Sequence, residues 1–116
     1  MVNLTQAAYL NCVNSLFAFI IQYSSVLEKI VIIPTYNEKE NINNILHAIL
    51  NLNDGFHVLV IYDGSPDGTA QIVRELIPKF SGKLFIEERT GKLGLGTAYI
   101  HGFKWAIEKD YQFICE

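Results

Sequence analysis

Two apolar segments, residues 29–33 and 56–62, each run directly into a polar loop that is followed by the start of a helical pattern. A short apolar run bounded by turn residues is typical of a strand covered on both faces, as in a parallel sheet. Strands that alternate with helices form crossover units, so the pattern predicts an α/β fold with a mainly parallel sheet and helices on both faces. Because the carboxyl ends of parallel strands meet at one edge of the sheet, we expect the two loops to lie side by side where ligands bind.

The same alternation continues along the chain. A first helix is predicted from Lys39, with five apolar side chains on one face: Ile42, Ile45, Leu46, Ile49 and Leu50. Pro34 is expected to end the first strand, and Asp67 to cap the second helix. A third strand over residues 83–87 precedes a third helix, and a fourth strand begins at Tyr111. Three small residues at four-residue spacing predict that the third helix approaches the sheet closely: Ala98, Gly102 and Ala106.

Residues 1–28 differ in composition from the rest, which indicates a leader followed by an α/β domain over residues 29–116. No charged residue occurs from Met1 to Leu27. The apolar run at residues 16–21 is too short for a membrane span, which needs roughly twenty residues. The basic amino end of a secretory signal is missing. We expect an N-terminal helix that packs on the domain or on a partner, with contact at a membrane interface as the alternative.

The composition narrows the classes of function. The chain has 116 residues, 50% hydrophobic and 18% charged, with a formal net charge of -3, which indicates one globular domain. No basic patch stands out, so no nucleic-acid partner is expected. Cys12 and Cys115 lie far apart and fit no metal spacing, so we expect buried or free thiols in a reducing compartment and not a disulfide.

The loop after the first strand carries side chains suited to a nucleoside. Tyr36 offers a ring that can lie along a base or ribose, while Asn37 and Glu38 can hydrogen-bond to sugar hydroxyls or base edges. The alternative is that Asn37 or Glu38 only caps the helix that begins near Lys39. At the end of the second strand, the Asp63 carboxylate can accept hydrogen bonds from a base or a ribose.

A glycine-rich loop at residues 90–96 precedes the third helix. Arg89 and Lys92 place two cations beside this loop, which makes it a plausible cradle for phosphate charge at a helix amino terminus. The loop matches neither a Walker motif nor the dinucleotide fingerprint, because the closing residues of both are missing. His101 on the following helix is interpreted as a packing residue.

Together these segments resemble the amino-terminal half of family 2 glycosyltransferases, particularly the dolichyl- or polyprenyl-phosphate mannosyltransferases. The resemblance rests on residues 31–38 with 41–42, on residues 63–69, and on Arg89 with residues 91–103. The first block is common to many family 2 enzymes, whereas the second and third are much more specific to the polyprenyl-phosphate branch. The resemblance covers about residues 29–116 and does not extend to the leader.

The resemblance implies a GT-A fold and transfer of mannose from GDP-mannose to dolichyl or polyprenyl phosphate, with inversion at the sugar. It implies a divalent metal, Mg or Mn, in the complete enzyme. By similarity, Pro34, Tyr36, Glu38 and Asp63 would hold the nucleoside, and Arg89 and Lys92 the phosphates or nearby sugar; no catalytic residue is assigned. The alternatives are a family 2 transferase that uses a UDP-sugar, and a non-catalytic module that binds a nucleotide or a partner.

Two departures from the family pattern shape the expectations. The family usually has paired acidic residues at the end of the second strand, whereas here Tyr62 precedes Asp63. The Asp-x-Asp metal motif of the family would follow Glu116, so the chain is expected to be a donor-binding fragment without metal ligands and inactive on its own. We further expect a cytoplasmic protein or one held peripherally at the cytoplasmic face of a membrane, with oligomerisation through the leader as an option.

Overall fold

The computed structural model describes residues 28–91 and 93–116, so the expectations for the leader, for Cys12 and for Lys92 fall outside the described residues. Four strands form one parallel sheet in the order β3-β2-β1-β4: β1 Lys29–Thr35, β2 Phe56–Tyr62, β3 Leu84–Glu88 and β4 Phe113–Cys115. Three helices connect them: α1 Lys39–Leu50, α2 Thr69–Leu76 and α3 Leu95–Glu108. The predicted α/β class and parallel sheet are confirmed.

Helices cover both faces of the sheet. On one face α1 and α2 pack on β2 and β3 through a buried cluster: Ile42, Leu46, Leu50, Val58, Val60, Val73 and Leu84. On the other face α3 packs on β1 and β2 through a second cluster: Ile30, Ile32, Leu59, Ile61, Ala98 and Ala106. Alternate residues of β2 therefore enter opposite cores, which is why this strand is apolar without interruption.

One residue of the predicted α1 face is not buried. Ile45 is 39% exposed, whereas Ile42 and Leu46 are fully buried. A helix turns by about 100° per residue, so Ile45 lies at the edge of the apolar face and not at its centre, which Ile42 and Leu46 occupy. The inclusion of Ile45 in the buried face was therefore wrong.

The first strand is longer than the sequence indicated. β1 continues through Pro34 to Thr35, so the prediction that Pro34 ends the strand was wrong. The Thr35 carbonyl accepts a hydrogen bond from the Asp63 amide on the β2 side at 3.3 Å. Successive residues direct their backbone groups to opposite sides of a strand, so Pro34 faces the β4 side. There β4 pairs only with residues 29–31, and within the described sheet no ladder bond requires an amide at Pro34.

The third helix lies very close to the sheet, as the stripe of small residues predicted. A Cβ atom added to Gly102 would lie 2.6 Å from Cγ2 of Ile32 in β1. Ala98 and Ala106 are fully buried on the same face. This close approach fixes the position of α3 over β1, with its amino end near the carboxyl ends of the strands.

None of the helices within the described ranges combines the length and the apolar character that crossing a lipid bilayer demands. The longest of them, α3, has 14 residues, against the roughly twenty that a bilayer requires.

Candidate functional site

The loops after β1 and β2 and the start of α3 enclose a cavity of about 270 Å³ at the carboxyl edge of the sheet. Its wall is formed by seven residues: Pro34, Thr35, Tyr36, Glu38, Asp63, Gly94 and Leu95. Four of the six residues predicted from the sequence thus share one cavity. Arg89 lies behind its wall, and Lys92 falls outside the described residues. The cavity is open to solvent and combines a ring, two carboxylates and a helix amino end.

Pairing of the two central strands sets the loops at the same level. Thr35 is paired with Tyr62 at the last position of the β1–β2 register. The Asp63 amide donates to the Thr35 carbonyl at 3.3 Å, and the Thr35 hydroxyl donates to the Ile61 carbonyl at 3.4 Å. Asn37 then adopts a left-handed conformation with φ of 57°, which asparagine tolerates better than most residues. This turn leads the chain through Glu38 into α1.

A buried ion pair joins Asp63 of the cavity wall to Arg89 behind it. Arg89 donates from Nε to Asp63 Oδ1 and from Nη2 to Asp63 Oδ2, both at 2.7 Å. The two side chains are only 7% and 8% exposed. Hydrogen bonding to the Asp63 carboxylate raises the pKa of Arg89 further above its ordinary value. A planar guanidinium that grips both oxygens fixes the orientation of the carboxylate, and each oxygen keeps a second acceptor position for other donors.

Arg89 also ties this pair to the glycine-rich loop. Its Nη1 donates to the Thr97 hydroxyl at 3.0 Å, and Nη2 approaches the Gly94 carbonyl at 3.3 Å. The Thr97 hydroxyl lies 2.7 Å from the Leu93 carbonyl and 2.8 Å from that of Gly94. Arg89 therefore joins the end of β2 to the start of α3. Its predicted contact with donor phosphates stays a prediction.

Tyr62 and Asp63 occupy different sides of the strand end. The Tyr62 hydroxyl donates to the Ser65 carbonyl within the second loop, and Tyr62 takes no part in the cavity wall. Asp63 forms part of that wall. Successive side chains of a strand point to opposite faces, so a side chain at position 62 does not face the cavity when Asp63 does. Tyr62 in place of the first acidic residue of the family's pair therefore removes no carboxylate from the cavity.

Three cavity residues were not selected from the sequence: Thr35, Gly94 and Leu95. Thr35 could have been noticed, because it directly follows a proline at the end of an apolar strand. Gly94 and Leu95 belong to the glycine-rich loop that was singled out for its cations. Their part in the cavity depends on where α3 begins, and sequence patterns place helix ends poorly.

A larger cavity, of about 350 Å³, lies at the opposite, amino edge of the sheet among His57, Phe85, Trp105 and Tyr111. The His57 Nδ1 atom and the Tyr111 hydroxyl oxygen are 2.7 Å apart. Burial lowers the pKa of His57 and raises the pKa of Tyr111 to about 12, so both side chains are neutral near pH 7. We assign the functional site to the smaller cavity, because ligands of open α/β sheets bind at the carboxyl ends of the strands.

The side chains of the described residues decide whether a metal ion fits. In the ranges 28–91 and 93–116, no three His, Cys, Asp or Glu residues cluster in a way that could hold a metal ion. Cys115 is a free and exposed thiol. We therefore assign no metal ligand among these residues.

Similarity to known proteins agrees with this geometry. Residues 30–115 match the family described as Glycosyl transferase family 2. The chain is 41% identical over 87 residues to the polyprenol monophosphomannose synthase of Mycolicibacterium smegmatis, covering 75% of this chain and 33% of that protein. It is 38% identical over 87 residues to the undecaprenyl-phosphate mannosyltransferase of Micrococcus luteus, covering 75% of this chain and 35% of that protein.

A solved structure has the same arrangement of elements. The mannosyltransferase of Pyrobaculum calidifontis, in complex with GDP-Man and Mn2+, matches with a TM-score of 0.63 and 28% identity. The match covers 71% of this chain and 26% of that one, so the GT-A class predicted for the sheet and its helices is confirmed. The chain spans about a third of the length of the two curated relatives.

Proposed function

Because the chain belongs to glycosyl transferase family 2, we propose that the cavity at the carboxyl edge binds GDP-mannose, and that the protein transfers mannose to a polyprenyl phosphate lipid. The observation that carries this proposal is the meeting of Pro34, Tyr36, Glu38 and Asp63 around one cavity. The names of the relatives support mannose as the sugar and a polyprenyl phosphate as the acceptor. The GDP-Man in the solved relative supports the donor.

The cavity offers distinct groups for each part of the donor. Guanine presents two adjacent N–H donors on one edge, and the Asp63 carboxylate, fixed by Arg89, is suited to accept from such an edge. The Tyr36 ring can lie along the base or ribose, and Glu38 can accept from the ribose hydroxyls. Helix α3 begins at Leu95 in the cavity wall, and the free backbone amides of its first turn would stabilise the negative charge of a diphosphate.

The proposed reaction is a direct displacement at the anomeric carbon. An oxygen of the lipid phosphate forms the new bond to that carbon, while the bond to the GDP oxygen breaks and GDP leaves with the electron pair. The acceptor oxygen is already anionic near neutral pH, so the reaction does not need a strong general base. A divalent metal, as in the solved relative, would stabilise the departing diphosphate in the complete enzyme. We assign no ligand for this metal among the described residues.

Titration calorimetry with GDP, GDP-mannose and UDP tests the donor assignment directly. We expect the guanine nucleotides to bind more tightly than UDP. Glu38→Gln is expected to weaken GDP binding by about tenfold or more, because a hydrogen bond to a charged acceptor contributes about 1.5–3 kcal/mol. Glu40→Gln is the matched control, since Glu40 lies two residues further along in the first turn of α1 and outside the cavity wall.

The other outcomes of this titration separate the alternatives. Equal or tighter binding of UDP would favour a transferase that uses a UDP-sugar. A chain that binds neither nucleotide would favour a module that binds a partner, and would contradict the proposed function. Equal losses in Glu38→Gln and Glu40→Gln would show that the effect does not arise in the cavity.

We also propose that residues 1–28 form a unit separate from the donor-binding domain and mediate association, at the cytoplasmic face of a membrane or with a second chain. The absence of charge from Met1 to Leu27 supports this. Deletion of residues 1–27 should lower the number of chains per particle, obtained from the molar mass measured by light scattering, if the leader joins two chains. An unchanged number of chains per particle together with unchanged binding to lipid vesicles would remove the basis of this proposal.

A further inference from the structure

One carboxylate in the second loop, which follows β2, contacts the first residues of both α1 and α2. Asp67 Oδ1 accepts hydrogen bonds from the Thr69 hydroxyl at 2.6 Å, from the Ser65 hydroxyl at 2.9 Å and from the Thr69 amide at 3.1 Å. Asp67 Oδ2 accepts from the Lys39 amide at 3.1 Å. Thr69 is the first residue of α2, and Lys39 is the first residue of α1. The sequence predicted only the contact with α2.

Because of the contact with Lys39, the first loop, which comprises residues 36–38 after β1, is held by hydrogen bonds at both ends. At its start, the Thr35 carbonyl is bonded to the Asp63 amide. At its end, the Lys39 amide is bonded to Asp67. The intervening segment, residues 36–38, carries Tyr36 and Glu38 of the cavity wall. This segment is thus held at both ends by the second loop, which lies 28 residues away in sequence.

We propose that Asp67 is a positioning residue, which holds residues 36–38 in the conformation that presents Tyr36 and Glu38 to the nucleotide. This inference rests on the proposed function. A single ionised carboxylate accepts from all four donors, which belong to Lys39, Ser65 and Thr69. The hydrogen bond from the Thr69 hydroxyl, followed by those from other donors, lowers the pKa of Asp67 to about 2, so the carboxylate stays ionised at neutral pH.

Asparagine at position 67 can separate the two contacts of this carboxylate. An asparagine side chain has one acceptor oxygen and one donor nitrogen. Three donors converge on Oδ1 and one on Oδ2, so the oxygen of Asp67→Asn is expected to turn toward Ser65 and Thr69. Its NH2 group would then face the Lys39 amide, donor against donor. The variant keeps the hydrogen bonds from Ser65 and Thr69 and loses the one from the Lys39 amide.

Thr69→Val is the matched control. It removes the hydroxyl that donates to Oδ1 and keeps the shape of a buried side chain, while the Lys39 amide keeps its acceptor. Thr69 takes no part in the cavity wall. The control therefore weakens the α2 side of Asp67 and leaves the α1 side intact.

The experiment measures GDP affinity by calorimetry and amide hydrogen exchange on the whole 116-residue chain. For Asp67→Asn we expect faster exchange at the amides of residues 39–42 and about tenfold weaker GDP binding. A tenfold loss corresponds to a loop that spends a tenth of its time in the binding conformation. For Thr69→Val we expect faster exchange at residues 69–73 and GDP affinity within twofold of the parent chain.

The two readouts distinguish the possible failures. If the Asp67→Asn variant binds GDP as tightly as the parent chain, the positioning role is overturned. It is also overturned if Thr69→Val weakens GDP binding as much as Asp67→Asn does. A parent chain that binds no GDP would overturn the proposed function. If the parent chain binds no GDP, amide exchange at residues 39–42 still tests whether Asp67 holds the loop after β1. Unchanged exchange at these residues in Asp67→Asn would show that Asp67 does not hold that loop.

Discussion

Arg89→Met is expected to lower the free energy of unfolding by about 3–5 kcal/mol, the usual cost of removing one partner from a buried ion pair. Asp63 is 6% exposed as a residue, and both of its oxygens accept from Arg89 at 2.7 Å. Without the guanidinium, the carboxylate is left in the interior without a counter-charge. Urea unfolding followed by the fluorescence of the single tryptophan measures the loss.

The chain contains its own control for this prediction. Arg74 pairs with Glu88 at the surface, where the two side chains are 47% and 44% exposed. Arg74→Met makes the same chemical change and should cost at most about 1 kcal/mol, because exposed pairs contribute little. Similar losses in the two variants would contradict the importance of the buried pair.

A double substitution tests whether the loss comes from the stranded charge. Asp63→Leu combined with Arg89→Met removes both charges, and such replacements are often neutral or stabilising. We expect the double variant to be more stable than Arg89→Met alone. If the two variants are equally stable, the loss comes from the contacts of Arg89 with Thr97 and Gly94, which both variants lack, and not from the unpaired carboxylate.

Gly102→Val is expected to lower the free energy of unfolding by about 3 kcal/mol, the upper part of the usual range for overpacking a core. A Cβ at this position would lie 2.6 Å from Cγ2 and 3.0 Å from Cδ1 of Ile32. Ile32 is 1% exposed in the central strand β1, and a β-branched side chain has little freedom to move aside. The helix must therefore shift away from the sheet.

Gly96→Val in the same helix is the matched control. No atom lies within 4 Å of a Cβ at Gly96, and the residue is exposed. We expect a change of less than about 0.5 kcal/mol, as for most surface substitutions. Urea unfolding of both variants decides the question, and a stable Gly102→Val protein would show that α3 does not need to lie this close.

Much of the fold follows from the sequence because it is encoded locally. The apolar strands β1 and β2 are continuous because each is buried on two faces, and the pattern of small residues in α3 directly reflects a close helix–sheet contact. The meeting of Pro34, Tyr36, Glu38 and Asp63 at one edge of the sheet was also predictable, since parallel strands bring their carboxyl ends to one edge.

The partners of the site residues were decided only by the tertiary structure. Asp63 and Arg89 are 26 residues apart, and they meet because β2 and β3 pair in a particular register. Asp67 reaches the Lys39 amide because α1 and α2 start side by side above the sheet. Pro34 is tolerated inside β1 because its nitrogen faces away from β2, whose ladder with β1 therefore loses no donor. A sequence pattern records the surroundings of each residue as apolar or polar, whereas strand register and helix placement determine which two groups come within hydrogen-bonding distance.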